Sequence, residues 1–181
     1  MTELTRERLG ALRVQAKELL AEAGYADGIT IPFLSRNGRY IKDKEIVETC
    51  AAYLEQVGIH CEVELVEGGV WQNRSENHGR KGIFYPGWSG RDADLVFYPQ
   101  LASGKSQSYV SDEALDAMIM EARTTMDEAK RLALYYEIDA YLYDQMYQIP
   151  LFQSPAIYGV NNALNWEPRN DDILSFRDAS F

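Results

Sequence analysis

The sequence predicts an α/β fold, a mixed β-sheet flanked by helices. Three observations predict it. An apolar stripe at helical spacing runs through residues 5–23, a strand–helix–strand order follows from Ile29 to Leu65, and two amphipathic helical segments occupy residues 111–147. Apolar residues make up 46% and charged residues 25% of the 181 positions. That length and balance suit one domain, or at most two small ones, with a real core and exclude a disordered, collagen-like or disulfide-dense chain.

In the first segment Leu9, Leu12, Ala16, Leu19 and Ala23 recur at steps of three and four, and Gly24 stands where a left-handed helix cap belongs. Ile29–Leu34 reads as a strand, which Pro32 pushes towards a sheet edge or a strand start. Ser35, Arg36, Asn37 and Gly38 are turn chemistry. A second helix is expected from an N-cap at Asp43, with Ile46, Cys50, Leu54 and Val57 inward and Gly58 at its end. Ile59, Cys61, Val63 and Leu65 then alternate with His60, Glu62 and Glu64, the period of a half-buried strand. The two strands and their crossover make a βαβ unit, so they should pair in parallel with a right-handed connection.

Residues 67–82 are polar and predict a loop or a poorly specified short helix. Ile83-Phe84-Tyr85 is a brief strand. Ser111 is the expected cap of a helix that buries Leu115, Met118, Ile119 and Ala122. Asp127 is the expected cap of the next, with Leu132, Tyr135, Tyr136, Leu142, Tyr143 and Met146 inward. Residues 149–152 and 157–160 read as short strands, and 161–181 show little periodicity.

Several function classes are disfavoured at once. Lys+Arg is 18 against 28 Asp+Glu, a net charge of −10, whereas nucleic-acid binders and membrane-surface binders show a basic footprint. No apolar run reaches the ~18 residues of a membrane span. The N-terminal stretch has neither an apolar core nor a cleavage site, so no signal peptide is expected. His60 and His78 form no zinc spacing, and no metal or cofactor is implied. Cys50 and Cys61 fall on the apolar faces of their elements. They read as buried free thiols, with a helix-to-strand bridge possible only at a Cα separation below ~7 Å. No GxSxG elbow, P-loop or dinucleotide fingerprint is present. Acidic pairs such as Asp92/Asp94 and Asp171/Asp172 read as solvated loops or helix caps.

The segment after the third strand, Pro86-Gly87-Trp88-Ser89-Gly90-Arg91-Asp92, is the strongest binding candidate. Ligands of α/β sheets sit beyond the carboxyl ends of strands. Trp88 offers a flat stacking surface, and Ser89 and Gly90 offer small hydrogen-bonding groups. Arg91 offers a planar fork for an anion, with Asp92 beside it. Arg39 and Tyr40, in the loop after the first strand, are second candidates for the same wall. The plain alternative is a turn with a packed Trp and a solvated Arg.

Residues 16–25 (AKELLAEAGY), Asn37-Gly38-Arg39-Tyr40 with Asp43 and Glu45, and Leu54–Ile59 follow one another in a recognisable order. So do Gly87–Arg91, Tyr109–Asp116, Glu121–Asp127 and Ile149–Phe152. Together these stretches resemble the C-terminal part of the peptide/nickel-type (family 5) extracytoplasmic solute-binding proteins of ABC importers. The resemblance covers roughly residues 14–180. It implies the second lobe of a periplasmic-binding-protein type II fold over residues 1–155. Residues 156–181 would be a tail that in the family returns to a first lobe. On that resemblance the first lobe, a signal peptide and the family's small extra domain are expected to be missing from the sequence, as in an excised or truncated receptor. The implied role is non-enzymatic: binding of a small-molecule or peptide solute outside the cytoplasm, and delivery to an ABC permease, the one link to a membrane. Oligopeptide-binding members carry an Asp shortly after Gly-Trp to hold the peptide amine. Here Arg91 stands in that place, which favours an anionic solute. Many relatives follow with Asp-Pro-Asp, where this chain has Asp92-Ala93-Asp94. Two other classes stay open from the residues alone: a small α/β hydrolase or transferase using Asp92 or a histidine, and a non-binding remnant or interaction module.

Overall fold

A computed structural model describes residues 3–88, 90, 92–169 and 173–180. Ser89, Arg91, Asp171 and Asp172 lie outside the described residues. The chain divides into two compact units, Met1–Gly87 and Trp88–Phe181.

The first unit opens with α1 (Glu3–Glu22). Leu9, Ala16 and Leu20 are half-buried, while Leu12 and Leu19 are exposed, so the inward stripe is rotated from the expected one. The helix ends as its sequence dictates. Gly24 has φ of 90°, Tyr25 N–H donates to the Leu20 carbonyl and Gly24 N–H to that of Ala21, the two bonds of a Schellman cap.

Three strands follow: β1 (Ile29–Arg36), β2 (Ile59–Val66) and β3 (Ile83–Tyr85). They form one sheet in the order β2-β1-β3, and both pairings are parallel. The β1–β2 register runs from Ile29↔Ile59 to Arg36↔Val66. Two corrections arise here. Arg36 ends a strand instead of belonging to a turn, and β1 is the central strand despite Pro32. The proline is tolerated because β3 pairing begins only at Phe33↔Ile83, one residue later, so no β3 acceptor waits for the N–H that proline lacks. Gly82, at φ 65°, turns tightly against the Pro32 carbonyl, where any Cβ would collide.

Between β1 and β2 lies α2 (Asp43–Glu55), and between β2 and β3 lies α3 (Gly68–Glu76). The two crossovers run in opposite directions across the sheet, so right-handed connections place the helices on opposite faces. Buried Leu34, Val66 and Trp71 pack with Phe84 on the α3 face. Val47 of α2 is buried, and Cys50 and Cys61 are half-buried free thiols whose ionisation burial pushes up. The segment expected to be a loop or weak helix is therefore a helix, seated by Trp71.

In the second unit α4 (Asp94–Leu101), α5 (Glu113–Thr124) and α6 (Glu128–Gln145) enclose a core of Leu101, Leu115, Ile119, Ala122, Ile138 and Leu142. Helix α4 carries no strong periodicity and was not expected from the sequence. The α5 cap is Asp112 and not Ser111; its carboxylate accepts from Ala114 and Leu115 N–H. Asp127 caps α6 as expected, accepting from Lys130 N–H. The inward face of α6 is Ile138 and Leu142 flanked by half-buried Tyr135 and Tyr141, whereas Leu132, Tyr136, Tyr143 and Met146 are exposed. Residues 149–152 and 157–160 form no strand, and no backbone among the described residues pairs with them as a ladder. Beyond them Trp166 packs on Tyr158 and Phe176, its Nε1–H donates to the Ser175 carbonyl at 2.7 Å, and Asn165 bridges Ser180 antiparallel.

Candidate functional site

The sheet has a topological switch point. The chain leaves β1 towards β2 on one side and returns to β3 on the other, so the carboxyl ends of β1 and β3 meet at the kind of position where α/β sheets commonly take ligands. The residues at those two ends are tied together by one side chain. The Tyr40 hydroxyl donates to the Gly87 carbonyl at 2.9 Å and accepts from the Gly87 N–H at 3.0 Å. A Cβ on Gly87 would lie 2.8 Å from Tyr40 Cζ, so only glycine lets the ring approach. The Tyr40 ring also meets Tyr85 edge-on, centroids 6.1 Å apart.

The loop that carries Tyr40 is wrapped around a buried carboxylate. Asp43 accepts from the backbone N–H groups of Gly38, Arg39 and Tyr40 as well as from Lys44. It is the first residue of α2 and organises the preceding loop; the cap position itself is Lys42, with φ 58°. Burial acts to raise the Asp43 carboxyl, but the four donors outweigh it and hold it below the usual carboxylate range.

Arg39 is exposed and its guanidinium lies 5.6 Å from the Tyr40 ring centre. Sequence reasoning missed Arg36. Its guanidinium lies 4.9 Å from the Trp71 ring centre and 5.5 Å from that of Tyr40. Arg80, buried at the same face, covers Phe84 at 4.2 Å. The signal available was register: Arg36 shares its side of β1 with Leu34, two residues before.

In the second unit Trp88 is 43% exposed, an open aromatic surface at the start of that unit. Gly90 is tightly placed, since a Cβ there would meet the Asp92 carbonyl at 3.2 Å and Leu95 Cβ at 3.3 Å. The Asp92 carboxylate is already engaged. It accepts from Tyr135 Oη at 2.6 Å and Asp94 N–H at 2.9 Å, and it pairs with Arg131 at 3.0 Å. Tyr135, the Asp94 N–H and Arg131 hold it below its ordinary pKa. In turn, burial and then Asp92 push the Tyr135 phenol up to about 12. Asp92 thus fastens the loop to α6 and starts α4. Among the described residues no group of three His, Cys, Asp or Glu side chains converges to hold a metal ion.

Residues 11–109 match the family described as bacterial extracellular solute-binding proteins, family 5 Middle. The chain belongs to this family. Curated relatives include the glutathione-binding protein GsiB of Shigella dysenteriae serotype 1 and of Escherichia coli strain K12. Each is 29% identical over 179 residues, covering 92% of this chain and 35% of the relative. The chain therefore spans about a third of the length of the curated relatives it matches. Among solved structures, a periplasmic oligopeptide-binding protein from Borrelia burgdorferi superposes with a TM-score of 0.72 at 20% identity, over 93% of this chain and 35% of that one. The peptide-bound periplasmic protein DppA from Helicobacter pylori gives 0.59 at 23% identity, over 70% and 26%. These likenesses establish the α/β fold of a periplasmic-binding-protein segment: a small parallel sheet flanked by helices.

Proposed function

We propose that the chain forms one wall of an extracytoplasmic solute receptor that serves an ABC permease, and that it performs no chemistry itself. The observation that carries this reading is the family match over residues 11–109, which takes in the whole sheet, its switch point and the start of the second unit. The solute is a peptide or peptide-like small molecule with anionic groups. Relatives named for glutathione, a tripeptide with two carboxylates, support that class, as do the cations Arg36, Arg39 and Arg91 in or near the loops that follow β1 and β3. Each unit carries its own candidate contacts, Arg39 and Tyr40 in the first and Trp88–Asp92 in the second, with Tyr40 and Asp92 acting as loop anchors within their units. Residues 1–155 act as the binding lobe, and residues 156–181 belong with a partner lobe.

A pocket buries 70–90% of a small ligand, so a single wall binds weakly. The test is a titration of the labelled chain with glutathione at millimolar concentration, reading the indole N–H of Trp88 by NMR. A saturable shift, at least ~100-fold weaker than in a receptor of full length, is expected. An unmoved Trp88 signal at saturating solute would overturn the reading.

A further inference from the structure

Asn37 and Gly38 lie exposed in the loop between β1 and α2, outside any helix or strand. Of the chain's asparagines only Asn37 precedes a glycine. Asparagine is thermolabile because the peptide nitrogen of the next residue can attack its side-chain amide, and a side chain on that next residue obstructs the approach. Nothing obstructs it here. Gly38 has φ of 78°, and no atom lies within 4 Å of the place a Cβ would take. Among the described residues no hydrogen bond holds the Asn37 side chain, whereas its backbone N–H is fixed to the Val66 carbonyl at 3.0 Å. The proton that must leave the Gly38 nitrogen already points at a carboxylate, since Gly38 N–H donates to Asp43 Oδ1 at 3.2 Å. That is the longest of the four bonds Asp43 accepts from backbone N–H groups, so Gly38 is its least firmly held donor.

We propose that Asn37-Gly38 is a self-modifying site, where Asn37 loses ammonia spontaneously and the loop carrying Tyr40 is remodelled as a result. The Gly38 nitrogen bonds to Asn37 Cγ while its proton passes to solvent. The Cγ–Nδ2 bond breaks, and the amide nitrogen takes up a proton from solvent and departs as ammonia, leaving a cyclic imide. Water then opens the ring at either carbonyl, so position 37 becomes aspartate or an isoaspartate whose main chain runs through Cβ. Nothing is oxidised or reduced, and water is the only co-reactant. The cyclic imide has no Gly38 N–H, so Asp43 loses that donor. Ring opening adds a negative charge one residue before the peptide that Asp43 holds, and isoaspartate lengthens the main chain by one carbon. Arg39 and Tyr40 follow directly and bond to the same carboxylate, so the change reaches the Tyr40 hydroxyl and its two bonds to Gly87. The reaction is independent of any solute.

The test ages the folded chain in mildly alkaline buffer, digests it after lysine and weighs the peptides, with a 15N-labelled sample aged alongside for NMR. The peptide of residues 18–42 contains Asn37 and no other asparagine or glutamine, so its deamidated mass reports Asn37 alone. The peptide of residues 45–81 carries Asn73 and Asn77 as internal controls. The first peptide should convert to two products of equal mass, of which an aspartate-specific protease cuts only one at position 37, while Asn73 and Asn77 stay intact. Asn37→Gln, which could close only a larger ring, should abolish the conversion. The Gly87 amide resonance should shift in step with it. An Asn37 that survives as long as Asn73, or converts only in the urea-unfolded chain, would overturn the site. Full conversion with an unmoved Gly87 resonance would overturn the remodelling of the Tyr40 loop. The wild-type chain decides both points even where the variant fails to fold.

Discussion

Replacing Gly87 by alanine adds one methyl group at the point where Tyr40 joins the two strand ends. The added Cβ would sit 2.8 Å from Tyr40 Cζ and 3.0 Å from both Cε1 and the hydroxyl. Gly87 has no positive φ, so the cost is one of space and not of backbone conformation. The ring must move, and both bonds between its hydroxyl and the Gly87 peptide are lost. Two hydrogen bonds at about 1 kcal/mol each, with about 1–2 kcal/mol of overpacking, give a destabilisation of about 3–4 kcal/mol. For a chain of this size that lowers the melting midpoint by about 6–15 °C. Urea unfolding followed by circular dichroism measures it. The decisive control is the double-mutant cycle with Tyr40→Ala, which removes the obstructing ring. In that background Gly87→Ala should cost under about 0.5 kcal/mol. A full cost there, or a single-mutant cost below about 1 kcal/mol, would refute the clamp.

Three further outcomes are expected. Asp43→Asn should destabilise the chain by about 1–3 kcal/mol at neutral pH. Because the folded-state pKa of Asp43 is depressed, its contribution is present above the unfolded value of about 3.9 and is lost as pH falls through the folded value, so urea midpoints of wild type and variant should converge in acid. Tyr135 has a folded pKa raised to about 12, so the stability it contributes is complete below its unfolded value of about 10 and disappears as pH rises to about 12. Spectrophotometric titration should find a late-ionising tyrosine that Asp92→Asn brings back towards the ordinary range. Hydrogen exchange should show the amides of Asn165 and Ser180, which bond across the bridge, better protected than those of residues 149–160; the reverse order would contradict the local packing around Trp166.

The β1-α2-β2 core was legible because two signals agreed, a period of two in the strands and a period near four between them. Helix α5 and the cap at Asp127 were legible for the same reason. Pro32 misled, because a proline argues for an edge only when a partner strand needs its missing N–H, and where β3 begins is a tertiary fact. The inward face of α6 misled because four tyrosines and four Leu or Ile side chains surround that helix, and a helix rich in amphipathic Tyr offers several stripes of similar strength. Trp71 seats α3 but has only Val70 for a large apolar neighbour in a polar run, so no periodicity announced it. At the candidate site the sequence pointed to Trp88 and Tyr40 through residue chemistry. It could not show that Tyr40 spends its hydroxyl on Gly87, that Asp92 is bound to Tyr135 and Arg131, or that Arg36 is clamped between two rings. Each of those depends on contacts between residues distant in sequence.

The strand order has a consequence for how the first unit assembles in time. Strands β1 and β2 are neighbours in sequence across one helix, whereas β3 must close a longer loop to reach the other side of β1, and it offers three residues of pairing when it arrives. Loop-closure entropy therefore favours forming β1-α2-β2 first and docking β3 late. The Tyr40–Gly87 clamp belongs to that late event. Tyr40→Phe should then leave the refolding rate nearly unchanged and express its cost as faster unfolding, a φ-value close to zero, while Val47→Ala in the α2–sheet core should slow refolding. The joined ends of β1 and β3 are thus the last part of that unit to form and the first to open.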